Sequence, residues 1–244
     1  MSGCMRRIGA LLAVSLLAVA LTTLGTMVVA CDKGGEEAAS TTTSSTAAPV
    51  TVTTVPTKVL AAGETWALTE TITLGSLTVG EGAVITAGQG KAVTLTVDGV
   101  ETGQALATTD GYDLVFVPGT YTGDVVLTVT EANPVEYVPA GPDATPIVSP
   151  FRQAIFVDAG GFSAAKSVLA AVIGGQPAAD KAGDFIIAST GECFNGVYAA
   201  GSYTLTDIEI DFTGNARSDF SGYGAAVVGT GQGTSLVLDG VRCP

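Results

Sequence analysis

One pattern of alternating apolar residues recurs along this chain and constrains its fold more than any other feature. Apolar residues stand at the first, third, sixth and eighth of eight positions, with small or turn-forming residues in the middle. The pattern occupies residues 72–79, 95–102, 203–210 and 236–243, with Thr102 as a polar last position in the second copy. Because side chains alternate between the faces of a strand, each copy predicts two short strands that meet at a bend.

The spacing of the copies predicts that they stack on one another. The first two start at residues 72 and 95, which are 23 residues apart. A coil of roughly two dozen residues is the length of one rung of a parallel β-helix, in which each rung gains its core from its neighbours. Alignment of the copies predicts three inward columns, Ile72/Leu95/Tyr203/Leu236, Leu74/Val97/Leu205/Leu238 and Leu77/Val100/Ile208/Val241.

In these residues the chain resembles the right-handed parallel β-helix proteins of the pectin lyase-like superfamily, which includes polysaccharide enzymes and bacterial surface proteins. The resemblance covers residues 63–102 and 184–244, and the Val-Pro-Gly-Thr-Tyr sequence at residues 117–121 is typical of the approach to a strand in such proteins. It implies an all-β fold with a right-handed parallel β-helix. A β-sandwich also alternates short strands with glycine-containing turns, so it remains the alternative.

Residues 111–183 lack the pattern and are predicted to be an insertion that packs beside the coils or covers their end. Residues 114–130 predict a pair of strands, and residues 133–150 contain five prolines, which predict a loop or an extended arm. A helix is predicted from Ser163 to Ile173, because a serine can cap its start, alanines favour it and two glycines follow it.

The N-terminus predicts export. Arg6 and Arg7 precede an uncharged apolar run at residues 8–30, which is the order of a secretory signal. The Val-Val-Ala-Cys sequence that ends at Cys31 resembles the lipobox of bacterial lipoproteins, which implies cleavage before Cys31 and diacylation of its thiol. The run is also long enough to span a bilayer, so a permanent transmembrane anchor is the alternative.

The sequence therefore predicts three parts: a lipoprotein signal peptide at residues 1–30, a flexible Ser/Thr-rich tether at residues 31–58, and a domain at residues 59–244. The tether has too few large apolar side chains to offset the entropy lost on ordering. We expect an exported protein of the cell envelope that is held to the membrane by its N-terminal lipid.

Charge and composition exclude several classes of function. Ten Lys and Arg residues against 23 Asp and Glu residues give a net charge of −13, which argues against binding to nucleic acid. The chain has no histidine, so Ser-His and Cys-His nucleophiles and most zinc sites are excluded. The sequence predicts no catalytic residues, no metal site and no cofactor.

Three carboxylates form a candidate cation or glycan site. Asp207, Glu209 and Asp211 alternate with isoleucines, which would place Glu209 and Asp211 outward and about 6.5 to 7 Å apart. Carboxylates at such spacing share a calcium ion or flank a sugar bond. The rung alignment favours a structural role instead, because it places Glu209 in one outward column with Arg242, Glu101 and Thr78, where a cross-strand ion pair would account for it.

The cysteines leave two alternatives open. Removal of Cys4 with the signal and lipidation of Cys31 would leave Cys193 and Cys243, which an exported domain can join in a disulfide. Alternatively, Cys243 aligns with the inward position of Ile210 and is a small buried apolar side chain.

The sequence favours a non-enzymatic binding or adhesion module for a glycan or a protein. The alternatives are a β-helix polysaccharide lyase or glycoside hydrolase with an incomplete active site, since the residue sets of those families are missing, and a structural envelope spacer. The last copy of the pattern ends at residue 243 without a capping element. Either the insertion covers this rung, or a partner or second copy does, or the chain is the N-terminal part of a longer protein; we expect the last of these.

Overall fold

Threonine, valine and isoleucine alternate through much of the chain, and the computed structural model of the protein is accordingly built from strands. The structure describes residues 55–107, 114–137, 147–213 and 224–244. The strands are β1 (Thr57–Leu60), β2 (Thr65–Leu68), β3 (Ile72–Val79), β4 (Val84–Ala87), β5 (Lys91–Val97), β6 (Val100–Glu101), β7 (Gln104–Leu106), β8 (Leu114–Phe116), β9 (Gly119–Glu131), β10 (Asn133–Tyr137), β11 (Ile147–Asp158), β12 (Gly161–Phe162), β13 (Val172–Ile173), β14 (Lys181–Ser189), β15 (Phe194–Ala199), β16 (Tyr203–Phe212), β17 (Val227–Gly229) and β18 (Leu236–Asp239).

These strands form one large sheet, a second smaller sheet and two strand pairs. The large sheet has nine strands in the order β1-β3-β9-β5-β6-β14-β16-β18, with β13 paired to β14. The second sheet has the order β10-β11-β15-β17, with β12 paired to β11, and the pairs are β2-β4 and β7-β8. The predicted all-β class is confirmed, and the large sheet mixes parallel with antiparallel neighbours.

The first two copies of the pattern are aligned as predicted but are not neighbours. Strand β9 runs between β3 and β5 and is antiparallel to both. Ile72 and Leu95 each lie opposite Leu127, so the predicted direct contact of the two copies is wrong. The physical reason is that β9 brings its own alternation of apolar residues, including Leu127, and buries them in the same core.

The last two copies do stack in parallel. Tyr203 lies opposite Leu236 and Leu205 lies opposite Leu238, which confirms these two predicted pairs. Strand β14 pairs with β16 on the other side, and β11, β15 and β17 form a second parallel series. From β14 onward the chain therefore alternates between the large sheet and the second sheet.

The centre of the pattern takes a different form in each copy. Asp98 and Gly99 have φ angles of 50° and 81° and form a two-residue hairpin between β5 and β6, as a type I′ turn requires. In β16, by contrast, Asp207 has a φ of 49° inside one continuous strand. The same sequence pattern thus produces a reversal of direction in one place and a local bend in another.

In the region predicted to be an insertion, the described residues 114–137 and 147–183 are part of the sheets. β9 lies in the middle of the large sheet, and β11 and β14 begin the two parallel series. The predicted helix from Ser163 to Ile173 is wrong: the segment holds two 3₁₀ turns, Ala164–Lys166 and Leu169–Ala171. The segment is bonded to β11, where Val168 N–H donates to the Gln153 carbonyl at 2.9 Å, so its backbone cannot close a continuous helix.

The core consists of two main hydrophobic clusters. One is formed by residues up to Leu127 and the other by residues from Ala154 onward. β1 begins at Thr57, so the last two residues of the predicted tether belong to a strand. Cys31, the signal peptide and the rest of the tether up to residue 54 lie outside the described residues.

Candidate functional site

A buried ion pair joins Glu101 to Arg152. Arg152 Nη1 lies 2.5 Å from Glu101 Oε1, and the two residues are 2% and 0% exposed. Alignment of the copies predicted an outward Glu101, and this prediction is wrong. The Asp98–Gly99 hairpin reverses the chain before Glu101, which then pairs with Ser189 of β14 and turns its side chain inward.

Hydrogen bonds hold the Glu101 carboxylate on both oxygens. Ser189 Oγ donates to Glu101 Oε2 at 2.7 Å, and the Gly191 N–H donates to the same oxygen at 3.1 Å. A Cβ atom at residue 191 would overlap this carboxylate, so the close approach needs a glycine. The buried negative charge is therefore both paired and hydrogen-bonded, as a buried charge must be.

The Arg152 guanidinium also contacts Gln104, Glu192 and Phe194. Nη1 also donates to Gln104 Oε1 at 2.5 Å, and Nη2 donates to the Glu192 carbonyl at 2.6 Å. The guanidinium carbon lies 5.5 Å from the centre of the Phe194 ring, within the range of a cation–π contact. Gln104 in turn donates through Nε2 to the Val93 carbonyl at 3.1 Å, which ties the network to β5.

An open cavity of about 500 Å³ lies beside this network, and we call it the Tyr121 groove. Its lining residues are Thr102, Gly103, Gln104, Ala105, Val117, Tyr121, Thr190, Glu192 and Thr213. Gln104 and Glu192 bond Arg152 directly, and the Thr190 N–H donates to the Glu101 carbonyl at 2.7 Å. The buried ion pair thus fixes the backbone that carries part of the groove lining.

Tyr121 is the aromatic residue of the groove. Its hydroxyl donates to the Val117 carbonyl at 2.7 Å, and Gly103 lies so close that a Cβ there would be 2.8 Å from the ring. Burial raises the pKa of the Tyr121 phenol. The hydrogen bond to Val117 holds the side chain in one orientation.

The polar groups of the groove can both donate and accept hydrogen bonds. Thr190 Oγ1 and Thr102 Oγ1 are 2.8 Å apart, and exposed Thr213 adds a third hydroxyl. The carboxylate of Glu192 accepts from the Leu106 N–H at 2.6 Å, which holds it in one orientation. Hydroxyls, a phenol and one carboxylate suit a polar ligand that carries no negative charge.

The predicted carboxylate site lies on β16, apart from the groove lining. Asp207 and Asp211 are exposed and Glu209 is partly buried. Glu209 and Asp211 therefore point outward as predicted. Glu209 lies opposite Arg242, which confirms the predicted column for this pair, although their charged groups form no ion pair. In the described part of the chain, no group of three or more His, Cys, Asp or Glu side chains is arranged to hold a metal ion.

The two remaining cysteines are not joined in a disulfide. Cys193 is buried beside Leu106 and Leu114. Cys243 is exposed, so the alternative that it fills a buried inward position is wrong as well. The neighbouring Arg242 pairs with Glu209, whereas Cys243 itself belongs to none of the described strands.

The buried ion pair had no local signal in the sequence, because Glu101 and Arg152 are 51 positions apart. The sequence did contain a signal for the hairpin before Glu101, because an Asp-Gly pair between two alternating runs is a strong hairpin indicator. Taken as a hairpin, residues 98–99 would have placed Glu101 opposite Thr96 and outside the predicted column of Glu209 and Thr78.

No family model matches the chain, and no significantly similar curated protein or solved structure was found. Within the described residues there is no helix with the length and apolar character needed to cross a membrane.

Proposed function

We propose that the protein is an exported, lipid-anchored envelope protein that binds a glycan or protein ligand without chemical conversion, and that the Tyr121 groove is the binding site. The observation that carries this proposal is an open cavity of about 500 Å³ whose lining is bonded to a buried ion pair. A lining held in place before the ligand arrives lowers the entropy lost on binding.

The chemistry of the groove favours a neutral glycan over a charged ligand. The Thr102, Thr190 and Thr213 hydroxyls and the Tyr121 phenol match the hydroxyl groups of a sugar. The Gln104 amide is buried and bonded within the protein, so it orients the lining and does not face the ligand. The net charge of −13 disfavours polyanions, both nucleic acids and acidic polysaccharides. Tyr121 supplies the aromatic surface against which the apolar face of a sugar ring can pack.

We also propose that residues 147–244 form a parallel β-helix. This architecture would support the same binding role. Its support is the passage of the chain back and forth between β11-β15-β17 and β14-β16-β18, with all these neighbours parallel. Stacked coils of this kind present long surfaces for extended ligands.

The lipid anchor is supported by the sequence around Cys31 alone. A lipid at Cys31 followed by a tether would present the groove to ligands outside the membrane.

The test is binding of the purified full-length protein, in detergent, to an array of neutral and acidic glycans. We expect binding to a neutral glycan and a loss of at least tenfold in affinity, about 1.4 kcal/mol, on Thr213→Val. Thr65→Val is the matched control, because Thr65 is also exposed but lies on β2.

The other possible results of this binding experiment distinguish the alternative functions. Equal binding by both variants would place the ligand outside the groove. The appearance of unsaturated or reducing sugar ends would favour the lyase or hydrolase alternative. No binding to any glycan or envelope protein would leave the structural spacer as the better interpretation.

A further inference from the structure

The two halves of the domain meet at a short junction in the large sheet. We call residues 55–131 the first half and residues 147–244 the second half. In the described part of the chain, β6 of the first half pairs with β14 of the second half at two residues, Val100 and Glu101. Within the halves the pairing is longer, since β5 pairs with β9 and β14 pairs with β16 from the first to the last residue of β5 and β14. Strand pairing therefore holds each half together more strongly than it joins the two.

Apolar packing also stays mostly within each half. Among the described residues, one hydrophobic cluster lies entirely in the first half and another lies entirely in the second. A third, small cluster crosses between them, where Cys193 packs against Leu106 and Leu114. Because the hydrophobic effect grows with the apolar area removed from water, the contact between the halves gains less from it than the interior of either half does.

Threonines cover the surface of the first half that faces the second half, and we call this surface the seam. Their side chains point away from the hydrophobic cluster of the first half, and β11 and the 3₁₀ turn at Ala164–Lys166 lie against the strands that carry them. The buried threonines of the seam are Thr94, Thr96, Thr128 and Thr130. Thr94 Oγ1 and Thr128 Oγ1 find no hydrogen-bond partner among the described residues.

Water would satisfy the polar groups of the seam if the halves separated. A buried hydroxyl without a hydrogen bond costs free energy, which is recovered when water reaches it. The side chains of Glu101 and Arg152 would also regain their hydration, which offsets much of what their ion pair contributes. The two large hydrophobic clusters would stay intact. Separation of the halves therefore requires less free energy than unfolding of either half.

The Tyr121 groove lies across the same boundary. The first half supplies Tyr121 and residues 102–105 to its lining, and the second half supplies Thr190 and Glu192. The hydroxyls of Thr102 and Thr190, one from each half, are 2.8 Å apart. The groove has its full lining only while the halves are in contact.

We propose that the two halves separate reversibly along the seam, and that this motion takes the Tyr121 groove apart. A glycan that contacts both walls binds the closed form better than the open form, so it shifts the population toward the closed form. This effect of a glycan rests on the binding function proposed above, whereas the opening itself does not.

The test is alkylation of a cysteine placed in the seam of the full-length protein in detergent. Thr94→Cys reports on the seam, and Val125→Cys is the matched control in the hydrophobic cluster of the first half, since both residues are 0% exposed. Iodoacetamide reacts with a thiol that becomes exposed to water, and mass spectrometry of the peptide that carries the new cysteine measures its rate at that site alone.

We expect Thr94→Cys to react at least tenfold faster than Val125→Cys, because local opening exposes the seam and leaves the cluster closed. Thr96→Cys, at another residue that is 0% exposed, repeats the measurement if Thr94→Cys does not fold. Equal rates at the seam and in the cluster would overturn the opening.

A disulfide between the walls of the groove tests whether the same motion separates them. Thr102→Cys and Thr190→Cys are added to the Thr94→Cys protein, because their hydroxyls are close enough for two sulfur atoms to bond. We expect alkylation at residue 94 to be at least tenfold slower in the oxidised protein than in the same protein after reduction. An unchanged rate would show that the seam opens while the groove walls stay together, which would overturn the second part of the proposal.

The effect of a glycan is measured with the neutral glycan that binds best on the array. At a saturating concentration it should slow alkylation of Thr94→Cys and leave that of Val125→Cys unchanged. A glycan that binds without slowing the reaction would overturn the coupling and leave the binding function intact. If no glycan binds while the seam still reacts rapidly, the binding function and the coupling both fail and the opening is supported.

Discussion

At the level of single residues, the described part of the chain has one buried and one exposed ion pair. Glu101 and Arg152 are sealed from solvent and share hydrogen bonds with several neighbours. Lys58 and Glu64 are 3.4 Å apart at the surface, where water and salt screen them. Only the buried pair leaves a desolvated charge when one partner is removed.

Arg152→Met should therefore destabilise the protein by about 3 to 5 kcal/mol, because it leaves the buried Glu101 carboxylate without its positively charged partner. Lys58→Met is the matched control and should leave the midpoint of urea unfolding unchanged. The measurement is urea denaturation of the purified protein followed by circular dichroism. Similar midpoints for the two variants would show that the buried network contributes nothing to stability.

The raised pKa of Tyr203 predicts that the free energy of unfolding decreases at alkaline pH. Burial and the nearby charge of Asp180 raise the pKa of its phenol, whose hydroxyl donates to the carbonyls of Ala178 and Lys181. In the unfolded chain a tyrosine loses its proton at about pH 10, whereas the folded protein keeps it to higher pH. The unfolded state then binds fewer protons, so the free energy of unfolding falls as pH rises above about 10.

Tyr203→Phe should cost about 1 kcal/mol at pH 7 through the lost hydrogen bonds and should weaken the alkaline decline. Thermal melts of both proteins between pH 7 and pH 12 measure the two effects. A decline of equal size in the variant would assign the alkaline effect to other groups.

At the scale of elements, one sequence pattern supports several local structures. The hairpin at Asp98–Gly99 and the bend at Asp207 begin from the same alternation of apolar residues. What differs is the neighbouring strand: β6 folds back on β5, whereas β16 continues between β14 and β18. The alternation predicts which residues are inward, and the pairing decides where the chain goes next.

Gly99→Ala tests the hairpin. Gly99 has a φ of 81°, and a Cβ atom there would lie 2.6 Å from Cγ1 of Ile173. We expect a destabilisation of about 1 to 2 kcal/mol from backbone strain and crowding, measured by urea denaturation. Gly88→Ala is the control, since no atom lies within 4 Å of a Cβ at that position. A larger cost for Gly88→Ala than for Gly99→Ala would contradict the hairpin geometry.

At the scale of the whole molecule, the buried polar network connects two halves with separate hydrophobic clusters. Glu101 and Gln104 belong to the first half, and Arg152 and Ser189 belong to the second. Apolar contacts are not directional, whereas a buried ion pair tolerates few arrangements. We expect the network to set how the halves meet and hence the shape of the Tyr121 groove.

The membrane anchor also belongs to this scale. Cys31→Ser should abolish incorporation of radiolabelled fatty acid into the protein in the bacterial host, because the thiol is the predicted site of acylation. Cys4→Ser is the matched control and should keep the label, since Cys4 lies in the predicted signal peptide. Label retained by Cys31→Ser would favour the transmembrane alternative or another acylation site.

The site was harder to predict than the strands. Alternation identified strands at residues 203–210 and 236–239 and aligned Tyr203 with Leu236, because that signal resides in neighbouring residues. The second strand predicted for the last copy is absent: residues 240–243 hold only an isolated bridge at Arg242. The Tyr121 groove draws on several distant segments, from Thr102 to Thr213, and no local pattern marks it. Glu101 was predicted to be exposed, but it lies opposite Thr96 on a face of the sheet that Arg152 and Ser189 cover.

Local sequence was enough to predict the all-β class, the inward faces of β3 and β16, and the parallel pairing of residues 203–206 with 236–239. These features follow from the period of two in a strand, which is visible within one short segment. The insertion of β9 between β3 and β5 and the meeting of Glu101 with Arg152 in the interior depend on the fold of the whole chain. The reason is that strand partners and buried ion pairs are selected among distant segments by what the whole core can accommodate.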